Sequence, residues 1–395
     1  MSIIKMLAEK YSDYIIQQRR FFHANPELSL KEFETTKAIA DELTKMDIEV
    51  TTFPDYTGVI GLIRGGKPGK TVMLRADIDG LPIKEKTGLP FASTNGNMHA
   101  CGHDCHIAMQ LGAAKILMDL RNELKGNVKL LFQAGEEVGF GAKYYVEKGY
   151  LDDVSAVYGM HIWSGLEAGK FCLQPGEIMA SCDEFKIIVD GVSSHGSAPH
   201  LGKDAIFAAA SIVMNIQTYV SRKNNPLNAV VVTIGTMKGG QRFNIIANHV
   251  EMEGTTRAFS KEVRNSLKDE LDKIIQYTAK ALGVKARLEY NYLTDPIINE
   301  HDNLNKIARN AAIKLYGKDS LTSMEKIMGA EDFSHLMAKV PGFFGFIGCY
   351  NENLGTIYNN HHEKFDVDES KLHMGSALAA QFAYDFLNEN DEQNW

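Results

Sequence analysis

Three imidazoles, two thiols and a carboxylate fall within nine residues at Met98-His99-Ala100-Cys101-Gly102-His103-Asp104-Cys105-His106. Nitrogen and sulfur donors this dense suit a borderline transition metal. Cys101 and His103 can share one edge of such a site if Gly102 between them is extended, and the remaining donors must come from elsewhere in the chain. Gln133-Ala134-Gly135-Glu136-Glu137 follows the apolar run 128–132. Adjacent carboxylates on an extended backbone point to opposite sides, so one can hold metal while the other faces substrate. Gly159-Met160-His161 closes another such run, 154–158, and His361-His362 precede Phe365-Asp366-Val367-Asp368-Glu369. Asp77 and Asp79 follow the run 71–76, where a carboxylate can orient a ligand imidazole or the catalytic carboxylate; of the two, Asp79 is assigned that work. The candidates sit at or just past apolar runs, the edge at which open α/β sheets carry their sites.

With 395 residues and 44% hydrophobic content, the chain is long enough to form two cores. Apolar spacing at Ile4, Leu7, Tyr11, Ile15 and Ile16 predicts a helix over 3–25. Ser29-Leu30-Lys31-Glu32 has the spacing of a capping box that opens a second helix, to about residue 45. Strands are predicted at 59–63, 71–76, 128–132 and 156–161, with helices at 106–124 and 142–148, the alternation of a largely buried sheet. From about residue 180 the texture changes: Phe185, Ile187 and Val189 alternate with polar residues, which suits a sheet with one solvated face. Helices at 204–222 and 260–282 and strands at 229–237, 250–257 and 285–292 complete an α+β unit, after which a strand at 343–347 and a helix at 369–387 resume the earlier pattern. The simplest account is an inserted domain, 181–294, dividing a catalytic domain made of 1–180 and 295–395.

A net charge of −8 spread along the chain argues against a nucleic-acid partner. No apolar run approaches a membrane span, and Met1-Ser2-Ile3-Ile4-Lys5 lacks a secretory pattern, so a cytoplasmic protein is expected. Five cysteines form no disulfide framework; Cys172, Cys182 and Cys349 are expected in the core. Cys105 and His106 are expected to face the helix interior or cap its start, His99 to be an ordinary loop residue, His200 to satisfy backbone groups in a turn, and Asp104 to support a ligand histidine.

Taken in order, Cys101-Gly102-His103-Asp104, Gly135-Glu136-Glu137, Gly159-Met160-His161, Ser194-His195-Gly196-Ser197-Ala198-Pro199-His200, Gly329-Ala330-Glu331-Asp332-Phe333 and His361 span the chain from about His23 to the final helix. In these motifs the chain resembles the aminoacylase/carboxypeptidase metallohydrolases, in the amidohydrolase branch of hippurate hydrolase, N-acetyldiaminopimelate deacetylase and the auxin-conjugate hydrolases. The resemblance implies a two-domain α/β protein: a mixed-sheet catalytic domain carrying an inserted, ferredoxin-like lid and dimerisation domain. It implies two divalent ions (Zn, Mn, Co or Ni) on Cys101, His103, Glu137, His161 and His361, with Glu136 as general base. His361 rather than His362 fits because it stands four before Phe365, although Glu363 occupies a position often held by proline. His195 matches a histidine that polarises the scissile carbonyl, usually of the partner subunit's substrate, while Asn244 and Arg257 match contacts to the substrate's far end. The implied reaction is amide hydrolysis of an N-acyl amino acid by a homodimer or higher homo-oligomer. The rival readings are a dipeptidase or carboxypeptidase on the same scaffold and a non-catalytic metal- or ligand-binding module.

Overall fold

Strands whose residues are buried on both faces need cover on both sides, and the long apolar runs supply such strands. A computed structural model of the chain describes Ser2–Asn388, in two compact units. The first takes the chain up to Gly176, Asn299–Glu325 and the chain from His335 on; the second takes Glu177–Ile298 and Lys326–Ser334.

In the first unit an eight-stranded sheet has the order Glu49–Thr51, Gly58–Arg64, Lys125–Gln133, Lys67–Asp77, Ala156–Glu167, Gly342–Tyr350, Phe171–Cys172, Leu321–Thr322. The middle strands, from Lys125–Gln133 to Gly342–Tyr350, run parallel, and Gly58–Arg64 pairs antiparallel with Lys125–Gln133, so the sheet is mixed. Asp77 lies opposite Gln133 in register, which brings the carboxyl ends of two strands, and the residues that follow them, to one edge. Helix His103–Asp119 is buried almost all round and packs against Ser12–Ala24 and Leu372–Asn388. Gly112 permits that approach: a Cβ there would stand 2.5 Å from Ser376 Oγ and 2.6 Å from Ile15 Cγ1.

Two expectations about the N-terminal helices fail in this unit. The predicted helix over 3–25 is two helices, Ile3–Lys10 and Ser12–Ala24; Tyr11 at the break donates to Asp119 Oδ2 at 2.7 Å. The capping box does not cap either. Helix Phe33–Lys45 receives no side-chain cap from Glu32, and Glu27 accepts the N–H groups of Glu34 and Thr35 at 3.3 and 2.8 Å, putting its negative charge against the positive end of the helix. Ser29 and Glu32 turn to other partners.

The start of helix His103–Asp119 is held from behind by a buried charge network. Arg19, only 1% exposed, donates to Asp104 at 2.9 Å, Asp366 at 2.8 Å and Glu369 at 3.0 Å. His23 bridges Asp104 at 2.8 Å and Glu85 at 3.1 Å. Asp104 therefore tethers the helix to Arg19 and His23 and does not support a ligand histidine. Replacing Arg19 by methionine leaves buried carboxylates without their cation, and the expected loss is about 3–5 kcal/mol of stability, read from the denaturant midpoint. The same network fixes an acid dependence. Burial raises the Asp104 pKa, but Arg19 and His23 outweigh it and hold the carboxyl well below its usual range. A depressed folded-state pKa stabilises fully above the unfolded value of about 4 and is lost as pH falls below it, so Asp104→Asn flattens the acid limb of the stability curve.

The second unit runs strand, helix, strand, strand, helix, strand: Cys182–Asp190, Ala205–Thr218, Val230–Gly239, His249–Ala258, Lys261–Ala281, Lys285–Thr294. Its antiparallel sheet has the order Lys285–Thr294, Cys182–Asp190, His249–Ala258, Val230–Gly239, a ferredoxin-like arrangement with the helices packed on one face. Local signals place both helices: Asp204 accepts from Ile206 and Phe207 N–H, Ser260 accepts from Val263 N–H, and Gly283 ends the second helix at φ 72°. Lys326–Ser334 adds the Gly329-Ala330-Glu331-Asp332-Phe333 motif to this unit. Among the described residues no helix is long and apolar enough to cross a membrane.

Candidate metal centre

Five of the residues singled out in the sequence converge in the first unit. Cys101 Sγ lies 3.3 Å from His161 Nε2 and 3.3 Å from His361 Nε2. Glu137 Oε1 lies 3.5 Å from His361 Nε2 and 3.9 Å from His103 Nε2. His103 Nε2 and Glu137 Oε1 are buried without a hydrogen-bond partner, although buried polar atoms ordinarily have one.

The backbone reaches this arrangement differently from the sequence expectation. Gly102 is not extended but left-handed, at φ 93°, and His103 is the first residue of the helix. A Cβ at position 102 would stand 2.4 Å from Ile162 Cγ2, so glycine is required both for the turn and for the contact. Glu136 and Glu137 likewise do not continue the strand. They occupy a single helical turn, Glu136–Val138, between left-handed Gly135 and Gly139. His361 is itself left-handed, at φ 69°, with its N–H on Ala100 O at 2.7 Å.

Hydrogen bonds to the other ring nitrogen fix how each imidazole presents itself. His103 Nδ1 donates to Asp79 O at 2.8 Å, beside Asp79 Oδ1 at 3.2 Å, and His161 Nδ1 donates to Ile162 O at 2.6 Å. In the neutral form of both rings Nε2 therefore carries the bare lone pair, the form a metal takes. Asp79 Oδ2 accepts the N–H of Glu137 at 3.0 Å, so Asp79, through its backbone carbonyl and its carboxylate, orients two of the converging groups.

His106, expected from the sequence to face the helix interior or cap its start, belongs to the same neighbourhood, and Asp77, His103, His106 and His161 also cluster closely enough for a metal. Its bonding excludes it as a ligand. Nδ1 donates to Asp77, and Nε2 accepts the N–H of Ile162 at 2.8 Å, so both nitrogens are engaged. Arg75 donates to Asp77 at 2.9 Å and to Gln133 at 2.8 Å, completing a brace that joins two strand ends to the helix. The three-residue spacing of His103 and His106, one face of a helix, was the signal available for this role. His99 is not an ordinary loop residue: it is buried, neither ring nitrogen has a partner, and burial lowers its pKa to about 4.

Electrostatics favour a cation here. Burial, with Glu137 and Glu136 nearby, pushes the Cys101 thiol up; burial and the Asp79 and Asp77 charges raise Glu137 against the pull of His103. Burial would lower His103, yet Asp77 and Cys101 outweigh it and raise that imidazole. These directions describe a buried cluster whose anions repel one another and draw in positive charge. A divalent ion reverses the first two shifts, and a thiol, a carboxylate and bare imidazole nitrogens are donors it takes. By these tests the residues fit a metal.

The remaining candidates lie in the second unit. His195 and Asn244 are brought side by side: residues 195 and 245 form an antiparallel bridge, and Gly196 N–H donates to Asn244 O at 2.8 Å. His195 is exposed, and its Nδ1 accepts from Ser197 N–H at 3.2 Å and Ser197 Oγ at 2.7 Å, which leaves Nε2 carrying the proton. Asn244 Oδ1 is buried without a partner. Arg257, on strand His249–Ala258, uses Nη1 on Thr256 O at 2.9 Å and on the Thr255 hydroxyl. Of the core cysteines expected, Cys172 and Cys349 are buried and Cys182 is partly exposed; all five cysteines are free.

Known proteins resemble this chain over most of its length. The family description Peptidase family M20/M25/M40 matches residues 73–385. Thermostable carboxypeptidase 2 of Saccharolobus solfataricus is 40% identical over 390 residues, covering 98% of each chain. N-acetyl-L-cysteine deacetylase of Bacillus subtilis is 38% identical over 379 residues, covering 96% of this chain and 89% of its own. The crystal structure of Bacillus subtilis YXEP protein, described as a dinuclear metal-binding peptidase from the M20 family, superposes with a TM-score of 0.85 at 35% identity, covering 96% of this chain and 99% of its own.

Proposed function

The chain belongs to peptidase family M20/M25/M40 and is a metal-dependent hydrolase, and from that premise we propose that it hydrolyses the amide bond of an N-acyl amino acid. The observation carrying the proposal is Glu136: a carboxylate adjoining the donor Glu137, in a turn beside the five converging side chains, and outside that donor set. The dinuclear site named for the similar Bacillus subtilis structure supports two ions here, held by Cys101, His103, Glu137, His161 and His361. Zn, Mn, Co and Ni all suit these donors. When bound, such a pair supplies Lewis acidity toward water and the amide carbonyl.

The protein's own groups do the rest. Glu136 takes the proton of the attacking water and passes it to the leaving nitrogen as the C–N bond breaks, giving a carboxylic acid and a free amino acid. Asp79 keeps His103 and the Glu137 backbone in place during that exchange. His195 donates its Nε2–H to the oxygen on which charge develops. Arg257 pairs with the carboxylate of the leaving amino acid, with Asn244 contacting the same end of the substrate.

A second reading has support in the relatives named thermostable carboxypeptidases. A blocked peptide and an N-acyl amino acid present the same scissile amide and the same free carboxylate; they differ only in what lies on the acyl side. Assays of the metal-loaded protein on N-acetyl and N-benzoyl amino acids, dipeptides and blocked dipeptides separate the two. Faster release of amino acid from the simple N-acyl compounds is expected, faster cleavage of the peptides favours carboxypeptidase or dipeptidase action, and no amine from any of them refutes both.

We also assign the second unit a lid and dimerisation role and the protein a cytoplasmic place. Strand Val230–Gly239 is a sheet edge, and helix Ala205–Thr218 exposes Phe207 and Met214, features that support pairing of two copies. Five free thiols suit a reducing compartment. Sedimentation measures the first and fractionation of the host cell the second.

A further inference from the structure

Ser29-Leu30-Lys31-Glu32 has the spacing of a helix cap and serves no helix; its polar side chains run instead to the ends of core strands. Glu32 is completely buried. Its Oε1 accepts the N–H of Gly135 at 2.9 Å, and its Oε2 accepts the Thr57 hydroxyl at 2.5 Å. Ser29 donates to Asp79 Oδ2 at 2.6 Å, the same oxygen that accepts the N–H of Glu137. The backbone N–H groups on either side of Glu136, those of residues 135 and 137, are thus each held by a buried carboxylate. Leu30, left-handed at φ 62°, closes over the same point: a Cβ on Gly135 would stand 2.7 Å from Leu30 Cδ2.

We propose that Glu32 is a positioning residue for Glu136, fixing through the Gly135 N–H the point at which the turn Glu136–Val138 leaves its strand. The inference rests on Glu136 being the general base. A proton carrier works only at hydrogen-bond reach of the atom it serves, and the carboxylate that does so here stands on a turn flanked by two glycines, the residues with the most backbone freedom. Anchoring the first of those glycines removes that freedom. Burial pushes the Glu32 pKa up to about 7, and either protonation form presents an acceptor to Gly135. So does the amide oxygen of glutamine; alanine presents none.

This ordering is the test. Glu32→Ala is expected to lower kcat by about 10–100-fold, the scale of a displacement on the order of 1 Å, with KM and bound metal unchanged. Glu32→Gln is expected to restore kcat nearly to wild type. In a Glu136→Gln background Glu32→Ala should lower the residual rate no further, because the group it positions is gone. A tie that merely stabilises the loop would lower the melting temperature without these kinetic signatures. Wild-type kcat in Glu32→Ala, failure of glutamine to rescue, or an equal loss in the Glu136→Gln background overturns the proposal. Should Glu32→Ala not fold, Thr57→Val is read in its place: it removes the hydroxyl that orients Oε2, a several-fold drop in kcat is expected, and wild-type kcat overturns the proposal. Full turnover by Glu136→Gln alone would instead sink the general-base reading, an outcome distinct from any failure of Glu32.

Discussion

Glu136→Gln is expected to lower kcat by about 10²–10⁴-fold while metal content and melting temperature stay at wild-type values. Glutamine keeps the size of the side chain and its place in the turn, but it cannot accept a proton from water at neutral pH. The neighbouring position gives the contrast. Glu137 Oε1 is buried without a hydrogen-bond partner, 3.5 Å from His361 Nε2, so Glu137→Gln should lose bound metal together with activity. Rate measurements under saturating metal, paired with elemental analysis of each variant, separate the two roles. A Glu136→Gln protein that turns over at the wild-type rate, or one that loses its metal, contradicts the assignment.

His195→Ala is expected to lower kcat by about 10²–10³-fold, with KM much less affected. The bonding of Nδ1 carries this expectation. A nitrogen that accepts a backbone N–H cannot also hold the proton, so the imidazole offers Nε2–H as a donor without needing to be charged. A donor aimed at charge that exists only in the transition state changes kcat more than substrate binding. Ser197→Ala should give a smaller loss, because the Ser197 N–H still fixes the tautomer after the hydroxyl is removed. His195 and the five converging donors belong to different units of the chain, so metal content should be unchanged in both variants. A His195→Ala enzyme that keeps its kcat and loses only KM would make this residue a substrate contact instead.

How much of this could be read from the sequence depended on whether a local pattern has one physical outcome. Apolar runs of strand length do: 128–132 and 343–347 lie inside strands Lys125–Gln133 and Gly342–Tyr350, and donors at strand ends converge because parallel strands end on one edge. Ser260 and Gly283 bracket a helix because a hydroxyl cap and a left-handed glycine act within one turn. Ser29 and Glu32 show the limit. The same spacing that caps a helix serves equally well to reach Asp79 and Gly135, and only tertiary contact selects between the two. Gly102 and Gly135 show another: a glycine announces freedom, not the direction taken, so turns were read as extended strand. His23 and Arg19 carried no sequence signal of their bonding, since Asp104, 85 residues after Arg19, meets them only once the helices have packed.

The central claim is that the donors of residues 101, 103, 137, 161 and 361 surround a pair of divalent ions. Diffraction from crystals of the metal-loaded protein, collected on both sides of the absorption edge of the bound element, measures this directly. Two anomalous peaks within bonding reach of the Cys101 sulfur, the Glu137 carboxylate and the Nε2 atoms of His103, His161 and His361 are the predicted result. A single peak, or peaks ligated by Asp77 and His106 instead, would contradict it.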